Sequence, residues 1–130
     1  MQSHSSMRTP LGRVRGLGSA KSGTGHFWLQ RVTAVSNLVL TLIFLGIVVG
    51  LAGKPYPAAI AILSHPLVAI LMLLFIVSGA VHMRLGMQVI IEDYIHGEGL
   101  KIAAVMANTF FAIAVGAACA FAVLKLSFGG

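Results

Sequence analysis

His82 is the residue that most directly suggests chemistry. It stands inside an apolar run from Leu67 to about Ile91, about nine residues before that run ends, or about 14 Å along a helix. An ionisable side chain so deep in an apolar segment signals a function or a dedicated partner, because its desolvation is otherwise uncompensated. Ser78 and Gly79 precede it by four and three residues and Gly86 follows by four, so helical spacing predicts small residues above and below the imidazole. Imidazole ligates haem iron through one ring nitrogen, and a flat macrocycle held edge-on to a helix needs the adjacent turns stripped of bulk. A hydrogen bond to another helix would use the same histidine, and spacing alone does not separate the two. His4 and His26 lie in or near the N-terminal tail, and His65 and His96 flank the run. If a haem takes two histidine ligands, the second therefore comes from another chain.

Asp93 follows His82 by 11 residues, close to three helical turns, which puts recess and carboxylate on one face. Glu92, Asp93, Tyr94 and His96 gather two of the chain's three acids, a phenol and an imidazole at one end of this run. A phenol there either donates a hydrogen bond to a carbonyl or anchors the helix at the membrane interface. Arg31 heads the preceding apolar run, after His26, Trp28 and Gln30. It serves as a topology charge or as a bidentate clamp on a carboxylate such as a haem propionate. Arg84, two residues past His82, points about 200° away from it and belongs to another environment.

The elements that position these groups are read from hydropathy. Of 130 residues 58% are hydrophobic and 9% charged. That is too little charge to cover a water-soluble core, so lipid is the solvent for most of the apolar surface. Three spans are expected, at about 30–51, 67–91 and 102–124, each long enough for a hydrocarbon core of about 30 Å. Gly53, Pro55 and Pro57 punctuate the first connection, His65-Pro66 opens the second span, and Gly97 and Gly99 precede the third. The predicted fold is an all-α membrane protein, a three-transmembrane-helix bundle over residues 26–130, with a flexible basic tail over 1–25. Small residues at four-residue spacing, Gly46 and Gly50 in the first span and Ala112, Gly116 and Ala120 in the third, predict close helix contacts within the bundle or with another subunit.

The formal net charge is +6, yet the basic residues concentrate before and at the head of the first span, which is an orientation signal and not a nucleic-acid groove. Five Arg and Lys residues through Arg31, against Lys54 alone between Ala52 and Pro66, predict a cytoplasmic N-terminus, with the 92–101 segment on the same face. The acid-free, Arg-bearing start is also the composition of a mitochondrial presequence. The stretch from Gly18 to Thr24 fails as a phosphate-binding loop, because Ala20 replaces the glycine needed before Lys21. Cys119, the single cysteine, has no intrachain partner for a disulfide. No nucleophile and base, and no metal-ligand spacing, suggests a reaction completed within this chain.

The pattern His82, Gly86, Met87 and Asp93-Tyr94, with Arg31-Val32-Thr33-Ala34 heading the first span, resembles the hydrophobic membrane anchor subunit of bacterial succinate dehydrogenase. The resemblance runs from about Gly18 to Gly97, with a matching third helix beyond. It implies a four-subunit succinate:ubiquinone oxidoreductase in which this chain and a cytochrome b anchor subunit share one haem b. A flavoprotein subunit and an iron-sulfur subunit would then dock on the cytoplasmic or matrix face. By the same resemblance His82 is this chain's axial ligand and metal residue, and Arg31 a propionate contact. Tyr94 donates to a carbonyl of the ubiquinone substrate, and Asp93 orders a partner's arginine beside it. Some members carry a histidine six residues before the arginine, whereas His26 lies five before Arg31, so the resemblance carries no role onto it. The implied location is the bacterial cytoplasmic (inner) membrane. A fumarate reductase anchor and a cofactor-free membrane scaffold are the alternative readings.

Overall fold

The computed structural model describes residues 9–16 and 23–129. Among them run five helices: α1 (Pro10–Val14), α2 (Gly23–Leu51), α3 (Tyr56–Leu63), α4 (Pro66–Tyr94) and α5 (Glu98–Ser127). Three of them, α2, α4 and α5, are long and apolar enough to cross a membrane. Helix is the form such segments must take, because no water is present in the bilayer core to satisfy a backbone amide. The expected all-α architecture with three spans is what the chain adopts.

The helices are longer than the apolar runs. At 29, 29 and 30 residues each is about 43 to 45 Å long, which covers the headgroup regions as well as the hydrocarbon. The α4–α5 connection shrinks accordingly to residues 95–97, so Glu92, Asp93 and Tyr94 belong to the last turn of α4 and not to a loop. Gln88 Nε2 donates to Glu92 Oε1 at 2.8 Å, an i,i+4 bond that carries the helix past the end of its apolar pattern. Much of the predicted flexible tail, residues 1–25, lies outside the described residues. Within the remainder α1 is helical and α2 already begins at Gly23. The first connection also holds a short helix, α3, which hydropathy alone did not separate from its surroundings.

Sequence punctuation acts where expected. Gly53 takes φ of 72° just past α2, a conformation that favours glycine. His65 caps α4 by accepting the Leu67 amide at Nδ1, 3.3 Å away, and Pro66 follows in the first helical position.

In space α4 is the middle helix, and α2 and α5 pack against it on different sides. Phe44 of α2 stacks on Phe75 of α4 with ring centroids 5.0 Å apart. On the other side Gly116 permits close approach, since a β-carbon there would stand 3.3 Å from that of Ala80. Only Leu40, Ala69, Leu85, Ile91 and Ala112 are buried apolar residues among those described. The rest of the apolar surface faces outward, as expected where lipid or another subunit replaces water.

Candidate functional site at the α2–α4 seam

His82 lies sixteen residues from the start of α4 and twelve from its end, near the midpoint of the helix. Its imidazole is half-buried against α2, where Nδ1 is 3.1 Å from the hydroxyl of Thr33. The same hydroxyl lies 2.7 Å from the carbonyl of Leu29 and 3.1 Å from that of Gln30. Ser78, one turn before His82, reaches the Thr33 carbonyl at 3.5 Å. A run of polar contacts thus joins the two helices at mid-membrane depth.

Above this seam opens a cavity of about 390 Å³, lined by His26, Gln30 and Arg31 of α2 and by His82 and Val89 of α4, among others. Two of its side chains are incompletely satisfied: His26 Nε2 and Gln30 Oε1 are buried without a hydrogen-bond partner among the described residues. Arg31 sets its guanidinium carbon 5.0 Å from the centre of the Phe27 ring, a cation–π contact, and among the described residues its N–H groups have no hydrogen-bond partner. A β-carbon on Gly86 would stand 3.4 Å from Gln30 Nε2, an ordinary van der Waals contact, so the amide packs close to α4 at this glycine.

The structure brings His82 and Arg31 into one recess and adds His26, which the resemblance had left without a role. It does not bring Gly79 there. Gly79 lies on the α5 side of α4, in a cavity shared with Gly116 and Cys119, because a three-residue step leaves it about 60° round the helix from His82. Arg84 also faces α5, whose Asn108 donates to the Arg84 carbonyl at 2.9 Å, apart from the recess as its spacing predicts. Asp93 and Tyr94 sit about 17 to 18 Å beyond His82 along the helix. Both are exposed, Tyr94 at 78%, and neither side chain has a hydrogen-bond partner among the described residues. No group of three or more His, Cys, Asp or Glu side chains placed to hold a metal ion occurs among those residues.

A basic-rimmed recess with one mid-membrane imidazole, carried on three spans that expose most of their surface, fits a membrane subunit that completes its site with another chain. Residues 5–123 match the family described as the succinate dehydrogenase/fumarate reductase transmembrane subunit. The chain belongs to that family. It is 36% identical over 121 residues to the succinate dehydrogenase hydrophobic membrane anchor subunit of Paracoccus denitrificans, covering 93% of each chain. The corresponding subunit of Rickettsia bellii (strain RML369-C) is 37% identical over 106 residues, 82% of this chain and 85% of that one. The succinate dehydrogenase membrane anchor subunit of Reclinomonas americana is 33% identical over 99 residues, 73% and 82% of the two chains. No solved structure matches. The chain is accordingly a multi-pass membrane subunit of an oxidoreductase, with further subunits and the bilayer as its partners.

Proposed function

We propose that this chain is the hydrophobic anchor of a succinate:ubiquinone oxidoreductase, that it holds one face of a haem b shared with a cytochrome b anchor subunit, and that it forms part of the ubiquinone-reducing site. The observation that carries the reading is the recess that His82 and Arg31 share at the α2–α4 seam. The residues present fit a haem. They include one imidazole at mid-membrane depth, a guanidinium toward the start of α2 where acidic side groups need a cation, and His26 Nε2 and Gln30 Oε1 in the same walls, unpartnered among the described residues. When bound, the haem supplies a one-electron acceptor between the iron-sulfur subunit and the quinone region. His82 would hold the iron through its imidazole and Arg31 would neutralise a propionate. A second ligand would come from the partner anchor.

Ubiquinone has an apolar tail that favours lipid and a carbonyl head that needs donors, so its place is where an apolar wall meets polar side chains. The last turn of α4 offers Tyr94 as donor, with Asp93 to order a partner's cation. The flavoprotein and iron-sulfur subunits dock on that face, which is cytoplasmic in a bacterial inner membrane. The succinate dehydrogenase names of the relatives favour succinate oxidation over the fumarate reductase direction that the family also includes.

The test is the absorption spectrum of the complete complex carrying His82→Ala. The low-spin haem bands are expected to shift or vanish while succinate oxidation with an artificial acceptor persists. Haem retained with an unchanged spectrum would assign the ligand to another residue.

A further inference from the structure

Thr33 is the one buried polar side chain among the described residues, 7% exposed at the centre of the α2–α4 seam. A threonine hydroxyl has a single proton and two acceptor lone pairs. Its shortest contact, 2.7 Å, is to the Leu29 carbonyl oxygen, which cannot donate. Two oxygens that close repel unless a proton lies between them, so the hydroxyl proton points at Leu29. The 3.1 Å contact to His82 Nδ1 must then take its proton from the ring. In a neutral imidazole only one nitrogen is protonated, so Nδ1–H leaves the lone pair on Nε2. Burial of Thr33 keeps water from replacing it as the acceptor.

We infer that Thr33 is a positioning residue for haem ligation: the chain from His82 Nδ1–H through the Thr33 hydroxyl to the Leu29 carbonyl fixes the tautomer and ring angle that present Nε2 to the iron. The inference rests on the haem reading of His82. Threonine back-bonding to its own helix is common. What is particular here is that the back-bond consumes the only hydroxyl proton and so makes the oxygen an acceptor for the facing imidazole. An accepting hydroxyl strengthens electron donation from the ring to a metal less than a carboxylate would, yet it still favours ferric iron. Removing it weakens donation to the metal and raises the reduction potential. Outer-shell partners of metal-bound histidine are worth about 10- to 100-fold. The lower end, applied to ferric over ferrous iron, corresponds to about 59 mV for one electron.

The experiment compares the complete detergent-solubilised complex carrying Thr33→Val, Thr33→Ala, Thr33→Ser or His82→Ala with the unsubstituted complex. Haem content, the haem midpoint potential and the low-spin EPR g values are measured, and succinate oxidation with an artificial acceptor reports assembly. Val and Ala are expected to raise the potential by about 59 mV and to move the g values, with artificial-acceptor turnover preserved. Ser, which keeps the hydroxyl, is expected to stay near the unsubstituted values. Unchanged potential and g values in both Val and Ala overturn the inference, as does a shift in Ser as large as that in Val, since side-chain volume and not the hydrogen bond would then be responsible. If Val fails to assemble, Ala carries the comparison. If neither assembles, Thr33 is a packing residue and the inference fails. A His82→Ala complex with an unaltered haem spectrum overturns the haem reading and this inference together, whereas an altered His82→Ala spectrum with silent Thr33 variants overturns this inference alone.

Discussion

Tyr94 and His82 belong to one helix but depend on opposite surroundings, an exposed end and a half-buried middle. Replacing Tyr94 by Phe keeps the ring and removes only the donor, so it isolates the hydrogen bond proposed for ubiquinone. Loss of one neutral bond costs about 1 kcal/mol, or about fivefold in quinone reduction, and more if the bond strengthens as negative charge develops on the carbonyl oxygen. Quinone reductase and artificial-acceptor rates measured on the same preparation should separate, the first falling and the second holding. Equal rates before and after the change, with unaltered inhibitor affinity, would return Tyr94 to the role of interface anchor. His82 was legible in the sequence because an imidazole amid Leu, Ile and Val is conspicuous. Thr33 was not, because a threonine in a membrane helix ordinarily bonds its own backbone, and only the rotation of α2 about α4 reveals that it faces a histidine 49 residues away. His26 was named beside Arg31 in the sequence, but its spacing of five residues gave it no role. Its recess becomes visible only once α2 is seen to begin three residues before it.

At the scale of elements, hydropathy located the three spans but not their ends. The outer turns stand at headgroup depth, where polar residues such as Glu92 and Asp93 are tolerated, so the helix continues to Tyr94 before Gly97 caps the next one. The small-residue stripes divided in two. Ala112 is 3% exposed and Gly116 meets Ala80, so the α5 stripe is an internal seam with α4, whereas a β-carbon at Gly46 or Gly50 would meet nothing within 4 Å. Gly116→Ile should therefore push α5 from α4, at an overpacking cost of about 1–3 kcal/mol. Gly116→Ala asks its neighbour to yield only a few tenths of an ångström. Thermal dissociation of the purified complex is expected to come earliest for Ile and nearest to the unsubstituted complex for Ala. Indistinguishable curves for Ile and the unsubstituted chain would mean that this seam is looser than its geometry indicates.

On the scale of the whole molecule, the antiparallel course of α2, α4 and α5 puts the start of α2, the end of α4 and the start of α5 on one membrane face. Arg8, Arg13, Arg15, Lys21, Arg31 and Lys101 belong to that face by sequence position, and Lys54 and Lys125 to the other. Lys and Arg within about 15–20 residues of a span are the ones that set orientation. With α2 beginning at Gly23, all four basic residues of the tail fall inside that window. Each is worth about 1 kcal/mol near an anionic cytoplasmic surface, so an excess of about four opposes inversion strongly. The face carrying Asp93, Tyr94 and the mouth of the His82 recess should therefore be cytoplasmic, the side from which electrons from a soluble domain must arrive. Single cysteines placed in a Cys119→Ser chain provide the test: Thr24→Cys and Gly99→Cys on one face, Tyr56→Cys and Phe128→Cys on the other. All four native positions are exposed, and none is a glycine at positive φ. A membrane-impermeant thiol reagent added to cells with a permeabilised outer membrane should label the second pair, and should reach the first only after the inner membrane is opened. Labelling of Thr24→Cys from outside would invert the topology, and with it the face on which the quinone site and the soluble subunits meet.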